Sequence, residues 1–597
     1  MVQKRTIRRL IPDARAAAHA LLCAFFLYGA ITVLTSETPY SDPDFLKSVG
    51  TVVSVLYLCA FTVVLGVVFA LLRMRRMEKT GLFVSSLLFS SALLYSVNDT
   101  YVYAAVCAVQ AAVCFYCFTG ETALVVKGSR RLTLAGAALL GLFFSCWIGY
   151  LTALRYKMYI SPCFDFGIFA QMFSSMRRTG LPVTTCERDL PLSHFAVHLS
   201  FVYYLLLPFT YIFKDPSFLN VAQAVVLASG VVPLYLICRE KGLSQNVTLA
   251  MAIVYIFYPA LSAGCFYDIH ENCFLTPLIL WLMYAVDVDS TVGIFLSAAL
   301  VCAVKEDAPV YVIFICIYMF FAKKKILKPA ILLAVCVTYF LLAIKYLDTY
   351  GDGAMMYRYS NFSAGDGTMR DIVKTVLANP GYVFLQCLNA EKLEFALKIL
   401  LPLGFLPLIS RKYHNYILLG PFMLINLMSY YPYQHSLDFQ YNFGPAALLL
   451  YLTAENLSQI SVKKRPLAAA LCAALALLGG LCFVGHRTTY ISYAEKTADT
   501  VAAIEEVVEQ VPEDASLSAA TFLLPHLSDR EILYQVNGRL YETEGRTEYV
   551  ILDLRYEEFA SLYPIYDEAG YETVFFNPGA AVLLRCPFYS GGVQGEG

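Results

Sequence analysis

Long apolar runs recur along most of the 597-residue sequence, and they constrain its fold more than any other feature. Of all residues, 58% are hydrophobic and only 15% are charged, whereas a soluble protein carries about 25% charged residues. Apolar runs that recur in this way are typical of helices that cross a bilayer. The composition excludes a disordered chain, a collagen-like chain and an ordinary cytosolic globular protein. The sequence therefore predicts an all-α polytopic membrane protein.

Basic residues cluster between the apolar runs, and their spacing predicts how the chain crosses the membrane. Because Lys and Arg are enriched in cytoplasmic loops, we expect these clusters and the N-terminus to be cytoplasmic. The apolar runs, counted at about 20 residues each, predict roughly 13 to 16 transmembrane helices. Two runs between Leu192 and Arg239 leave the number of crossings open there, because parity requires an odd number. The basic clusters are Lys4, Arg5, Arg8 and Arg9; Arg73, Arg75, Arg76 and Lys79; Lys127, Arg130 and Arg131; Arg239 and Lys241; Lys323, Lys324, Lys325 and Lys328; Arg411 and Lys412; and Lys463, Lys464 and Arg465.

The charge balance changes near the C-terminus. Residues 495–597 include 19 acidic and 6 basic residues, a net charge of −13, whereas the part before them has a net charge of +12. An acidic segment after a basic membrane body indicates a soluble domain in another compartment. The sequence predicts four regions: N-terminal transmembrane helices over 1–155, a first large external loop with an amphipathic helix over 156–191, a transmembrane body with external loops over 192–486, and an acidic extracytoplasmic α/β domain over 493–597.

The α/β assignment of the tail comes from short patterns within it. Strand-like runs occur at 516–519, 549–554, 572–576 and 581–585, and helical spacing occurs at 494–511 and 556–569. We see no catalytic motif in this region. The polar insertions in the membrane body all fall on the predicted outer side, so we expect the function to be extracytoplasmic.

The first candidate residue is Asp165, a lone carboxylate among aromatic residues in the loop 156–191. Apolar surroundings raise the pKa of a carboxyl group toward the range in which it works as a general base. The alternative is that Asp165 is the N-cap of a helix over 165–176, because Asp is favoured at that position. Arg178 follows the end of this predicted helix and is a candidate for binding a phosphate.

Two further groups of candidates combine histidine with carboxylates. His194 and His198 are four residues apart, so a helix would place both on one face, where they would suit a metal or a phosphate. The alternative is a pair of interfacial histidines without a ligand. Asp268, His270 and Glu271 lie together at a membrane boundary, where ionisable groups are costly unless they are paired or functional. They would bind a cation, or His270 would contact a phosphate; a solvated turn is the alternative.

Two more segments are candidates for substrate contacts. Lys305 lies between two apolar runs, where its ammonium group would hold a phosphate as a point charge. The alternative is that Glu306 and Asp307 neutralise it. The segment 431–442 is rich in Tyr, Gln and Asn, the side chains that stack on sugars and bind hydroxyl groups. Its alternative is an aromatic belt at the membrane interface. The sugar-binding candidates are Tyr433, Gln434, His435 and Tyr441.

Cysteines are scattered through the apolar runs, and two lie in the predicted external loop. Cys163 and Cys186 are in the compartment where disulfides persist. A disulfide and two free thiols both remain open, because pairing does not follow from sequence.

Taken together, these segments resemble the GT-C superfamily of integral-membrane glycosyltransferases, and more closely a family of uncharacterised bacterial polytopic membrane proteins grouped with it. The resemblance rests on an Asp in the first large external loop, a helix after it and a body of many spans. The matching segments are Asp165-Phe166-Gly167-Ile168-Phe169, Ser193-His194-Phe195, Tyr267-Asp268-Ile269-His270-Glu271 and Lys305-Glu306-Asp307.

The resemblance implies transfer of a sugar from a polyprenyl-phosphate donor to an extracytoplasmic glycan, lipid or protein, at a bacterial plasma membrane. It implies Asp165 as the base, and some members use a divalent cation such as Mg²⁺ or Mn²⁺. The candidate metal ligands are Asp268, His270 and Glu271, although a second acidic pair after Asp165 is absent here. The candidate donor phosphate-binding residues are Lys305, His270, His194 and Arg178.

A transporter or flippase for lipid-linked glycans is the alternative function. Transporters place ionisable residues near the bilayer midplane and often contain inverted repeats. In this sequence the charges crowd the outer boundary, and we see no repeat. A scaffold that displays the acidic tail ranks third, because it would not need charged residues at membrane depth. The pattern therefore favours the enzyme.

Overall fold

The computed structural model describes residues 12–589, except 37, 39, 41, 49, 73, 96, 121–127, 354, 366 and 537–545. The predicted basic residues Lys4, Arg5, Arg8, Arg9, Arg73 and Lys127 lie outside the described residues. The described part is a helical body followed by a small sheet-containing domain, so both parts of the predicted fold class are confirmed.

The helices of eight residues or more are numbered α1 to α19. The first nine are α1 Ala14–Thr35, α2 Thr51–Leu72, α3 Arg75–Tyr95, α4 Thr100–Phe118, α5 Arg130–Lys157, α6 Ile168–Thr179, α7 Ser217–Ser229, α8 Val231–Glu240 and α9 Gln245–Phe257. The others are α10 Leu275–Asp287, α11 Thr291–Cys302, α12 Pro309–Ala322, α13 Leu327–Tyr350, α14 Met369–Ala378, α15 Pro380–Cys387, α16 Ala390–Leu400, α17 Phe443–Gln459, α18 Arg465–Val484 and α19 Thr489–Val508.

Seven helices in the described part are long and apolar enough to cross a membrane, or eight with the bent pair Gln245–Phe257 and Pro259–Tyr267. The seven are Ala14–Thr35, Val52–Leu72, Thr100–Phe118, Arg130–Lys157, Ser217–Glu240, Leu327–Tyr350 and Arg465–Val508. Of these, Ser217–Glu240 joins α7 and α8, and Arg465–Val508 joins α18 and α19. The chain is therefore a multi-pass membrane protein. The prediction of 13 to 16 spans allowed for short or bent helices in several runs; seven or eight helices of the described part have the full spanning length, and the other runs form shorter or broken helices.

The difference arises because several apolar runs are broken into short pieces. The run at 413–430 forms a 3₁₀ segment and a π-helical segment on either side of Gly420 and Pro421. The run at 195–213 forms only a 3₁₀ segment and one short helix that contains Pro208. Proline removes a backbone donor and interrupts a helix. Between Leu192 and Arg239, only Ser217–Glu240 is therefore long enough to span, which fits the required parity.

The C-terminal domain contains a five-stranded sheet. Its strands are β3 Leu517–Ala519, β4 Leu533–Gln535, β5 Tyr549–Asp553, β6 Glu572–Asn577 and β7 Ala581–Arg585, in the order β4-β3-β5-β7-β6; the other two strands, β1 Val183–Thr184 and β2 Leu192–Ser193, pair antiparallel in the loop region. Strand β3 runs parallel to both of its neighbours, and β7 runs antiparallel to both of its own. The four predicted strands are confirmed, and the three-residue β4 was missed. The predicted helix at 556–569 is two short helices instead, Glu557–Ala560 and Tyr563–Glu568, the second with Pro564 in its first turn.

The C-terminal domain packs directly on the loop 156–191. The His526 ring stacks on both Tyr156 and Tyr159, with ring centroids 4.0 and 3.6 Å apart. Thr185 and Leu533 exchange two hydrogen bonds, from the Thr185 hydroxyl to the Leu533 carbonyl at 2.6 Å and from the Leu533 amide to the hydroxyl at 3.0 Å. The domain therefore covers α6, which begins at Ile168 and is buried over most of its length instead of lying on the membrane surface.

Candidate functional site

A cavity of about 220 Å³ lies where the loop 156–191 meets six other segments of the chain. Its wall combines this loop, the segment 194–198, the turns after α9 and α11, the connection between α13 and α14, the segment 431–441 and one residue of the C-terminal domain. The titratable and polar side chains in the wall are Asp165, Glu187, Arg188, His194, His198, Tyr267, His270, Lys305, Tyr357, Arg358, Tyr431, Tyr433, Gln440, Tyr441 and Gln535. The folded chain thus gathers most of the predicted site residues around one space.

Asp165 lies in a strained piece of backbone at the edge of this cavity. Its φ of 63° and ψ of −61° are close to a γ-turn that non-glycine residues rarely adopt, and strain of this kind is concentrated at functional sites. Helix α6 begins three residues later with Gly167 as its N-cap, so the alternative role of Asp165 as helix cap is excluded. Burial raises the pKa of the half-buried Asp165 carboxyl to about 6, with the neighbouring Tyr267 hydroxyl acting in the opposite direction.

Lys305 is held by a buried carboxylate. Its Nζ lies 3.0 Å from Glu271 Oε1, and both side chains are excluded from solvent. The Tyr203 hydroxyl donates a hydrogen bond of 2.8 Å to the other carboxylate oxygen, Oε2. Glu306, which was the predicted partner of Lys305, instead accepts from His198 at 2.9 Å. Lys305 therefore faces the cavity as one half of an ion pair rather than as an isolated charge.

This pair predicts a large stability effect at Glu271. Removing one partner of a buried ion pair leaves an uncompensated charge, which costs about 3–5 kcal/mol. We expect Glu271→Gln to lower the thermal midpoint of the purified protein in detergent, because Lys305 then loses its counter-charge. The double variant Glu271→Gln/Lys305→Met should melt at a higher temperature than the single variant. A single variant that melts together with the wild type would contradict the pairing.

Three histidines line the cavity, and each has a carboxylate partner behind it. The pairs are His194 with Glu187 at 3.0 Å, His198 with Glu306 at 2.9 Å and His270 with Glu271 at 3.1 Å. A carboxylate hydrogen-bonded to one ring nitrogen orients His194 and His198 so that the other nitrogen is presented to a ligand, whereas Nδ1 of His270 lies near Glu271 without a hydrogen bond. The Nε2 atom of His194 is buried and has no hydrogen-bond partner. Burial alone would lower the pKa of His194, but Glu187 more than offsets this and raises it, which favours the cationic form.

Asp268 does not join His270 and Glu271 as a metal ligand. Its carboxylate pairs with Arg155 at 2.7 Å and accepts hydrogen bonds from Ser161 at 3.1 Å and Asn220 at 3.2 Å. These contacts hold Asp268 at a φ of 80°, where an L-residue is strained, so its role is to fix the turn. Within the described ranges, no group of three or more His, Cys, Asp or Glu side chains is arranged to hold a metal ion. The predicted metal ligands therefore do not fit a shared cation.

The other candidate substrate-binding residues fall into two groups: those that line the polar cavity and those that do not. Tyr433 and Tyr441 line the cavity, as a sugar-binding role requires. Neither Gln434 nor His435 lines this cavity: Gln434 is buried against Ser429 and lines a neighbouring apolar cavity, and His435 lies 3.2 Å from Glu391. Arg178 also points elsewhere: it donates to the Ser174 hydroxyl at 2.6 Å and to the Asp529 carbonyl at 2.8 Å, where it helps to dock the C-terminal domain.

Arg358 is a cavity residue that sequence reasoning missed. Its guanidinium lies over the rings of Tyr431 and Tyr441, 5.0 and 5.2 Å from their centroids. Its guanidinium donates a hydrogen bond of 2.8 Å to Met355 Sδ, and the Asp307 carboxylate acts on it electrostatically, whereas its Nε is buried without a hydrogen-bond partner. An arginine flanked by tyrosines in a long external loop was a usable signal, but its distance in sequence from the other candidates concealed its place in the site.

A second, apolar cavity of about 380 Å³ adjoins the first. It is lined by Phe340 and Ile344 of α13, by α14, and by residues of the π-helical segment Phe422–Leu427. Lys305, Met355 and Arg358 belong to the walls of both cavities. The two cationic side chains therefore lie at the junction between a polar space and an apolar space.

Residues 155–565 match the family described as predicted membrane protein (DUF2079). The chain belongs to the DUF2079 family. The match begins just before the loop with Asp165 and includes every residue of the cavity wall, Gln535 among them. Membership in a family of membrane proteins was predicted and is confirmed; helices α1 to α4 precede the matched part.

Similarity to proteins outside this family is found among solved structures. No curated protein matches this DUF2079 chain. The chain is similar to ArnT from Cupriavidus metallidurans, whose crystal structure was determined with undecaprenyl phosphate bound. The two sequences are 10% identical, with a TM-score of 0.49 over 76% of this chain and 99% of ArnT.

Proposed function

We propose that this DUF2079 protein is a membrane glycosyltransferase that moves a sugar from a polyprenyl-phosphate donor to an extracytoplasmic acceptor, with Asp165 as the base. The observation that carries the proposal is the meeting of a polar cavity and an apolar cavity at Arg358 and Lys305. A lipid-linked sugar phosphate has parts that match these three regions in order: a polar sugar for the polar cavity, a charged phosphate for the cations and a long apolar chain for the apolar cavity. The GT-C resemblance of the sequence predicts the same class of donor.

The charges at the junction support a phosphate at Arg358. Lys305 is already paired with Glu271, and Arg188 is paired with Asp352 at 2.6 Å. Arg358 forms no ion pair with a described carboxylate and is influenced only from a distance by Asp307, so its guanidinium can pair with a ligand. An arginine fork also matches phosphate oxygens in geometry. Lys305 and the cationic form of His194 would add to the positive potential of the same cavity.

The aromatic residues of the cavity supply a surface for the sugar. Phe439 lies between Tyr267 and Tyr433, with ring centroids 4.5 and 4.4 Å away. Rings of this kind bind the apolar face of a sugar, and their hydroxyl groups bind its polar edge. Tyr267 also contacts Asp165. This arrangement would place the anomeric carbon of a bound sugar near the base.

The proposed reaction uses these groups in one displacement. The acceptor hydroxyl attacks the anomeric carbon, and its proton passes to the Asp165 carboxylate. The bond between that carbon and the phosphate oxygen breaks, and the electron pair leaves with the lipid phosphate. Arg358 stabilises the negative charge that develops on this phosphate. Direct attack from the opposite face inverts the anomeric centre.

The raised pKa of Asp165 predicts a pH dependence. A general base works only in its ionised form, and burial sets the pKa of Asp165 to about 6. We therefore expect kcat/KM for donor cleavage to be low at acidic pH and to rise as the pH increases through about 6. Rates are measured at constant ionic strength for the wild type and for Asp165→Glu. The wild-type profile gives the pH midpoint of kcat/KM, and the variant should shift that midpoint. A profile that is flat across this range for both proteins would contradict the assignment.

The proposed activity is tested with purified protein in detergent. Release of polyprenyl phosphate is measured from a small panel of polyprenyl-phosphate sugars, with and without a chelator, for wild type and Asp165→Asn. Release by the wild type alone supports the enzyme, and the chelator lanes report on metal dependence. Absence of release from every donor, together with movement of a labelled donor across liposome membranes, would instead support the transporter or flippase.

A further inference from the structure

Two thiols lie next to each other in the wall of the polar cavity. Cys163 is two residues before Asp165, and Cys186 is directly before Glu187. Both are buried in one hydrophobic cluster and both line the cavity, and burial together with the neighbouring Cys163 thiol raises the pKa of the Cys186 thiol. They are brought together across the whole of α6, so their contact depends on the tertiary fold. The pair therefore joins the two segments that carry the candidate base and the partner of His194.

The C-terminal domain holds both cysteines in place. The Cys163 amide donates a hydrogen bond of 2.9 Å to the Thr521 hydroxyl. The Cys186 thiol lies 3.4 Å from the Leu533 carbonyl, and its amide lies 3.2 Å from Gln171 Oε1. The C-terminal domain and α6 thus hold the backbone at both free thiols in the same cavity wall.

We propose that Cys163 and Cys186 form a disulfide bond that ties the Asp165 segment to the Glu187 segment. Each thiol loses one hydrogen, and the two electrons pass to a small disulfide or a dithiol oxidase of the extracytoplasmic compartment, which is reduced to two thiols. The bond closes a loop around α6 and restrains the unfolded chain. It also limits movement of Asp165 relative to His194.

Burial explains when the bond forms and why it persists. It raises the pKa of the Cys186 thiol, so the thiolate needed for exchange is scarce after the C-terminal domain has docked. The bond therefore forms while the chain folds, and docking of the domain then shields it from reductants. The same raised pKa argues against a role for Cys186 as a nucleophile.

The chain contains a matched control for this proposal. Cys302 and Cys336 are also buried neighbours, with sulfur atoms 3.8 Å apart. They lie in α11 and in α13, which is long and apolar enough to span the membrane. Thiol–disulfide exchange requires a thiolate and an oxidant in water, and both are excluded there. We expect this second pair to stay reduced despite its proximity.

Peptide mapping of the full-length protein tests the proposal directly. The protein is produced in a host with an oxidising extracytoplasmic compartment, purified in detergent without reductant, denatured in N-ethylmaleimide and digested with trypsin. Cleavage after Lys157, Arg177, Arg178 and Arg188 places the two cysteines on separate peptides, 158–177 and 179–188. The expected result is a cross-linked pair of these peptides that disappears on reduction, with Cys302 and Cys336 both alkylated. Recovery of Cys163 and Cys186 as alkylated peptides, even after incubation with oxidised glutathione, would overturn the proposal.

A stability measurement provides a second readout that does not require a substrate. Melting in dithiothreitol, which reaches the bond once the C-terminal domain undocks on heating, should lower the thermal midpoint of the wild type, because the reduced chain no longer has its loop restrained. The double variant Cys163→Ser/Cys186→Ser should show no such shift, and Cys302→Ser/Cys336→Ser should behave like the wild type. An equal shift in the wild type and in Cys163→Ser/Cys186→Ser would overturn the proposal. Neither readout depends on glycosyltransferase activity, so the two proposals can fail separately.

Discussion

Replacement of Asp165 by Asn is expected to reduce release of polyprenyl phosphate by about 10²–10⁴-fold, the usual contribution of a general base. Asparagine has the same shape and tolerates a positive φ almost as well as aspartate, so the strained backbone at φ 63° is preserved. What is lost is the group that accepts the proton of the acceptor hydroxyl. Initial rates with saturating donor would measure the effect, and the thermal midpoint would confirm that the fold is intact.

The control for this variant is Asp567→Asn. Asp567 is exposed in the C-terminal domain, outside the cavity wall. The same chemical change there should leave the rate at the wild-type value. Turnover by Asp165→Asn at more than about a tenth of the wild-type rate would remove Asp165 from the role of base, since such a loss corresponds to no more than about 1.4 kcal/mol of barrier.

Replacement of Arg358 by Gln is expected to lower kcat/KM for the donor by about 10²–10³-fold, the typical loss on removing one group that stabilises a developing anion. Arg358 is held in no ion pair with a described carboxylate, although Asp307 acts on it electrostatically, and it lies where the polar and apolar cavities meet. Initial rates over a range of donor concentrations would separate the effect on KM from that on kcat. Arg358→Lys should recover only part of the activity, because it keeps the charge but loses the planar fork.

Arg239→Gln is the matched control for Arg358. The Arg239 guanidinium also lies over a tyrosine ring, 5.8 Å from the centroid of Tyr235, but at the end of α8 and outside both cavities. Its loss should leave donor kinetics unchanged. Equal kinetics for wild type and Arg358→Gln would show that the phosphate is held elsewhere in the cavity.

Lys305 provides a less direct test of phosphate binding than Arg358. Its ion pair with Glu271 is buried, so Lys305→Ala leaves a buried carboxylate without a counter-charge. A loss of activity in that variant would combine lost donor contact with lost stability. The pairing explains why the prediction of Lys305 as a simple point charge was incomplete, although the residue does line the cavity.

Much of the site could be predicted because it depends on local features of the sequence. Asp165, His194, His270, Lys305, Tyr433 and Tyr441 were all named as candidates, and all line the cavity. A polar residue next to an apolar run is costly in a membrane protein unless it has a function or a partner. That cost is visible in the sequence without knowledge of the fold.

The partners of these residues were not predictable in the same way. Asp268 was expected to bind a cation, but Arg155, 113 residues away in sequence, neutralises it. Arg178 was expected at the donor phosphate, but it contacts Asp529 of the C-terminal domain, which also contributes Gln535 to the cavity. Arg358 became a candidate only when Tyr431 and Tyr441 were found around it.

The sequence by itself determined the membrane class, the acidic α/β tail and the polar segments between the apolar runs, because apolar runs, charge balance and strand patterns act over short stretches of chain. Only the tertiary structure decided how many apolar runs are full helices, which charges are already paired and which cation remains for a ligand. These outcomes depend on contacts between residues far apart in sequence. The free energy of such contacts is set by burial and by the choice of partner, which residue type and spacing do not specify.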